Sequence, residues 1–242
     1  MKINYCPVPA TKYEKWPNIL YYEPTPLLNE LIKQRNKDTA YFKCPAYIEY
    51  YKNVYVIKSP IDITFNITQD ISADSKYIQI KEYNQEFFDN YIFVRDAKHN
   101  SKTLITYNIQ YLFYSDEEVD IEVLNAFEHK SDFINNVSVV QGKFDISKWI
   151  RPVECAFTVH DDNKEMKIKR GDPLYYVRFN TNKNIKLNKV EYTKEVEDIV
   201  ESLLQVKNFL FNNSMKTNYE LAKNYINSKK KKCPFSFLFR KN

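Results

Sequence analysis

From residue 54 to about 190 the chain alternates apolar and polar positions with a period of two. Val54 and Val56, then Ile61, Ile63, Phe65 and Ile67, are separated by mostly polar neighbours, and Ile78 and Ile80 repeat the pattern. Ile105, Tyr107, Ile109, Tyr111 and Phe113 make the longest alternation, followed after an acidic turn by Val119, Ile121 and Val123. Side chains on a strand point alternately to its two faces, so this spacing predicts half-buried β-strands. Further strands are expected at 155–160, 166–169, 173–180 and 185–191, with Arg170-Gly171-Asp172 as a tight hairpin turn between two of them. About nine short strands separated by polar turns argue for a mainly β fold, a β-sandwich or jelly-roll-like domain, and against a parallel sheet.

The flanks follow other rules. Pro7, Pro9, Pro17 and Pro24 sit among aromatics at the start, which reads as an extended arm laid over a surface. Thr25-Pro26 opens a short amphipathic helix carrying Leu27, Leu28, Leu31 and Ile32 to about Arg35, and a second short turn is expected from Pro45 to Tyr51. Beyond Tyr192 the period lengthens. Val196, Ile199, Val200, Leu203, Leu204 and Val206 line one helix face ending near Phe211. Thr217-x-x-Glu220 reads as the capping box of a second helix bearing Leu221, Tyr225 and Ile226. Four segments result: an N-terminal arm with short helices (1–53), a β-sandwich core (54–191), a C-terminal helical hairpin (192–228) and a basic aromatic tail (229–242). The hairpin either packs on the sheet or serves an oligomer or partner.

Composition removes whole classes of chemistry. Of 242 residues only 2 are glycine, Gly142 and Gly171, where ordinary usage gives about 17. A phosphate-binding P-loop, a dinucleotide fingerprint and a nucleophile elbow each need at least two glycines close together, so none is present. The net charge of +5 is a property of the tail. Residues 229–242 contain six Lys or Arg and no acid; without them 30 basic residues face 31 acidic ones. A nearly neutral body is not a nucleic-acid-binding domain. The 20 tyrosines fit a chain biased toward A/T-rich codons better than a row of base-stacking platforms.

Candidate chemistry is sparse. His160 and Asp162 form an H-x-D, a weak metal motif, but His160 is the last histidine and the second imidazole of a two-His-one-carboxylate site is missing. Cys6, Cys44, Cys155 and Cys233 contain no C-x-x-C pair, so a zinc site is not expected and the thiols are expected reduced. No cofactor is implied and no catalytic residue is assigned. The segment 142–152 stands out because Trp149 lies beside Arg151 in a long connection. It is either a stacking site for a ligand or a plug that closes one end of the sandwich. With Arg170 and Arg178 from the neighbouring strands, these residues define a possible ligand pocket near 142–152 and 168–179. The tail carries Lys229, Lys230, Lys231 and Lys232 followed by Phe235 and Phe237. It suits contact with an anionic membrane, docking on protein, or a solvated end. No secretory leader or membrane-spanning helix is evident, which suggests the cytoplasm of a host cell or a virion.

Cys44-Pro45-Ala46, VYVIKSPIDITF (54–65), YLFYSDEEVDIEVL (111–124), GKFDISKWIRP (142–152) and IKRGDPLYYVRF (168–179) together resemble a family of functionally uncharacterised proteins. That family occurs in tailed bacteriophages, notably marine ones, and in some bacteria. The resemblance implies a phage or bacterial source and supplies no catalytic residues. The expected function is a binding or assembly protein, with a protein partner or homo-oligomer. The alternative is an enzyme or a small-molecule or nucleotide-binding protein using the 142–152 pocket.

Overall fold

The computed structural model describes residues 1–9, 16–34, 40–70, 72, 75–81, 83–99, 102–210 and 212–232. The chain opens with strand β1 (Lys2–Val8), a helical turn α1 (Pro17–Leu20), the two-residue strand β2 (Thr25–Pro26) and helix α2 (Leu27–Gln34). Helix α3 (Pro45–Tyr51), strands β3 (Val54–Lys58), β4 (Ile63–Asp70) and β5 (Ser75–Ile80), and the short helix α4 (Gln85–Phe88) follow. Next come β6 (Ile92–His99), β7 (Lys102–Tyr114), β8 (Asp120–Asn125), α5 (Asp132–Asn136), β9 (Val137–Val139) and β10 (Gly142–Asp145). The chain continues through β11 (Pro152–Val159), β12 (Met166–Ile168), β13 (Pro173–Asn180) and β14 (Lys186–Lys189) to helices α6 (Lys194–Phe209) and α7 (Met215–Lys232). The protein is therefore mostly β, with its strands in several sheets.

The first sheet runs β14-β1-β7-β11-β9; β1 and β6 share one edge of the long strand β7. Asn4–Val8 pair with one end of β7 and Ile92–His99 with the other. A second sheet has the order β10-β8-β13-β3-β2, and a third has β12-β4-β5. Alternation then decides the packing. Ile105, Tyr107, Ile109, Tyr111 and Phe113 of β7 point into one large core with Ile121 and Val123 of β8, Tyr175, Val177 and Phe179 of β13, and Phe65 of β4. Leu112 and Tyr114, on the opposite face of β7, join Cys6, Val8, Trp149 and Ile150 beneath α6 and α7. The outer face of the second sheet, through Val54, Val56 and Tyr176, is covered by Leu27 and Leu31 of α2 and by Tyr51.

Several local expectations are corrected. Residues 2–8 are an inner strand between β14 and β7, not a surface arm. Proline is tolerated there because of where its missing N–H would point. The Val190 N–H donates to the Tyr5 carbonyl, so odd-numbered residues of β1 face β14, and that pairing ends before Pro7. No ladder bond is lost. Thr25 and Pro26 pair with β3 instead of opening α2. Arg170-Gly171-Asp172 is not a hairpin turn, since β12 belongs to the third sheet and β13 to the second. It is a sharp crossover. Gly171 takes φ +90°, its N–H donates to the Ser59 carbonyl, and the Asp172 carboxylate accepts from the Lys169 N–H. Helix α7 begins three residues, nearly one turn, before the expected capping box: the N-cap is Ser214, whose hydroxyl accepts from the Thr217 N–H. Consequently Asn218, Ala222 and Ile226 are buried and Leu221 is exposed.

Candidate functional site

A cleft of about 270 Å³ opens where the first and second sheets meet the helix pair. At the end of β9 the Val140 N–H still donates to the Ala156 carbonyl, after which the chain crosses to the edge of the second sheet as β10. Val123, Val153 and Ala156 floor the cleft, and Phe144 and Val140 wall it. Gly142 lies on this wall with φ outside the left-handed region, and a Cβ placed there would meet nothing within 4 Å.

Arg95, Lys143, Arg151 and Lys207 bring four cations to the lining, against a single carboxylate, Glu154. Two of these residues are aimed by irregular pairing. Arg95 lies between Val94 and Asp96, and Glu154 between Val153 and Cys155, where the registers of β6 and β11 against β7 shift. Such irregularities re-aim side chains that a regular ladder would hold elsewhere. Arg95 and Glu154 pair at 3.5 Å, and Lys143 pairs with Asp120 at 3.1 Å. The Arg151 guanidinium lies 5.2 Å from the centre of the Phe144 ring, and its Nε donates to the Pro152 carbonyl at 3.3 Å. Among the described residues no carboxylate forms an ion pair with Arg151 or Lys207.

The electrostatics follow from that crowding. Burial pushes the Arg151 pKa down; Glu154 opposes this and Arg95 adds to it. Lys207 is likewise lowered, first by burial and then by Arg151, with Arg95 acting in the same sense and Glu154 against it. A guanidinium keeps its charge even so. These groups hold positive charge against desolvation and against one another, and an anion placed between them relieves both costs.

The remaining sequence candidates lie elsewhere. Trp149 is 1% exposed, packs with Ile150 beneath the helix pair and is not among the residues that line the cleft. Arg170 stacks over Tyr22 at 5.7 Å, with its N–H donating to Asp62. Arg178 lies over Tyr50 at 4.8 Å and pairs with Glu122 at 3.7 Å. Of the four residues grouped as a ligand pocket, only Arg151 lines the cleft. His160 Nε2 bonds the Ser138 hydroxyl at 2.8 Å, whereas Asp162 accepts from Lys76 and Thr103 at 2.6 and 2.5 Å. Among the described residues no three His, Cys, Asp or Glu side chains gather as a metal requires. Phe235 and Phe237 lie outside the described residues, as do the side chains of Lys229 to Lys232. No described helix is long and apolar enough to cross a membrane.

Arg95, Glu154 and Lys207 escaped the sequence reading. They come from β6, β11 and α6, and no spacing links them. A larger groove of about 620 Å³ runs between β5 and β6, but the Gln85 carboxamide fills part of its edge bonding by accepting from the Ile80 N–H and donating to the Ile78 carbonyl. No family model matches the chain, and no curated protein matches it.

Proposed function

We propose that this is a binding protein that takes an anionic group into the cleft between β10, β11 and α6. The observation that carries the reading is four cations around one carboxylate, with Arg151 desolvated and lying on an aromatic ring. Binding is favoured over catalysis because the one carboxylate of the described lining, Glu154, is held in an ion pair with Arg95. The resemblance in segment order to tailed-phage proteins supports a phage origin, acting in a virion or on host machinery. A shared apolar core between the first and second sheets supports reading them as the two faces of a sandwich, with α6 and α7 as a hairpin packed outside it.

The test is titration with inorganic phosphate, followed by amide chemical shifts of the purified protein. Shifts should centre on Phe144, Arg151 and Lys207. Replacing Arg151 and Lys207 together by Gln should weaken binding by about tenfold or more, the scale of two lost charge-assisted contacts, with an unchanged melting temperature. A wild-type protein with no phosphate-dependent shifts, or a double variant that binds as well as wild type, overturns the reading.

A further inference from the structure

The rim of the cleft is apolar and uncovered. Val140 and Met215 line it and are each 44% exposed. Leu210, also 44% exposed, stands three residues beyond Lys207 and so on the same side of the chain as it leaves α6. Phe209 beside it is 82% exposed, the most uncovered of the large apolar side chains described. A free inorganic ion would use the cations and ignore this rim. A cleft lined by cations and edged by exposed aliphatic side chains matches a ligand that is acidic at its centre and apolar on either side.

We infer that the cleft and the α6–α7 turn form one docking surface for a partner protein's peptide segment, acidic in the middle and flanked by aliphatic or aromatic residues. The argument is charge complementarity with Arg95, Arg151 and Lys207, joined to apolar contact with Val140, Leu210 and Met215. It rests on the anion-binding reading and adds the class of ligand. In the bound state the segment's carboxylates replace Glu154 as the counter-ions of Arg95, and its flanking side chains cover the helix turn. Coulombic attraction brings the partner in, and rim burial selects it from other acidic chains.

Two capped peptides test this: one with adjacent glutamates flanked by leucines, the other with serines in place of the leucines. Calorimetric titration of the full chain should show the leucine-flanked peptide binding about tenfold more tightly. Phe209→Ser combined with Leu210→Ser, both exposed on the helix turn and neither lining the cleft, should erase that preference and leave phosphate binding as in wild type. Equal affinity for the two peptides, with phosphate still bound, overturns the inference and leaves the anion site standing. Failure of phosphate and both peptides to bind overturns the site itself. A concentration-dependent dimer in light scattering that Arg151→Gln dissolves would also overturn it, in favour of a second copy docking through its own exposed acidic turn at residues 116–118.

Discussion

At the scale of single residues, the tyrosines carry much of the core. Tyr91, Tyr107, Tyr111, Tyr175 and Tyr176 are among the largest fully buried side chains, so a compositional bias has been put to structural use. Each ring brings a hydroxyl that must find a partner. Tyr107 and the Ser59 hydroxyl share a hydrogen bond at 3.0 Å, and Tyr111 donates to the Tyr22 carbonyl at 2.6 Å. Burial raises the pKa of both phenols above the ordinary 10.0, because a buried phenolate loses its hydration. A group whose folded pKa exceeds its unfolded value contributes stability that is fully present below the unfolded pKa and is lost as pH rises from there through the folded one. Stability should therefore be flat up to about pH 10 and fall steeply above it. Tyrosinate absorbance at 295 nm should rise together with the loss of tertiary signal. Ionisation of most tyrosines well before unfolding would contradict this account.

At the scale of elements, alternation made most strands legible, because one face of each is buried and the period of two survives in the sequence. What stayed hidden depended on neighbours. Whether Pro7 breaks a strand depends on where the β14 ladder stops, and whether Asp172 closes a hairpin depends on which sheet β12 joins. The site shows the same limit. Arg151 was visible beside Trp149, but Arg95 and Glu154 are set by register shifts that leave no periodic trace. The segment from β10 to β11 is the element most open to test. Asp145 is desolvated, which raises its pKa. Hydrogen bonds from Lys148 and from the side chain and backbone of Ser147 outweigh this, so the pKa lies below its ordinary 3.8. The carboxylate thus stabilises the fold above about pH 4 and ceases to do so as pH falls below that value. Asp145→Asn should cost about 1–2 kcal/mol at neutral pH, and the gap to wild type should close in acid. Urea melts at pH 7 and pH 3 measure both; a pH-independent gap would show that packing, not charge, is what the substitution removes.

At the scale of the whole molecule, the two ends of the fold depend on each other. β1 runs parallel to β14, with Lys2–Tyr5 beside Lys186–Lys189, and the N-terminal ammonium donates to the Asn184 carbonyl at 2.8 Å. Ile3 and Tyr5 fill one core while Cys6 and Val8 fill another, so a single strand stitches the layer between the sheets to the layer beneath the helices. Contacts across such sequence separations form late, because closing a long loop costs entropy before the strand pair repays any of it. Removal of residues 1–8 should abolish the native state outright, seen as loss of near-ultraviolet circular dichroism, instead of releasing an intact body without its arm. Truncation after Lys232 is different, since the described core residues all lie between Ile3 and Ile226. That variant should melt within about 0.5 kcal/mol of wild type. It is therefore the clean probe of assembly: if the tail joins copies, the mass from light scattering should fall on truncation while the melt stays fixed. An unchanged mass would show that the tail does not join copies.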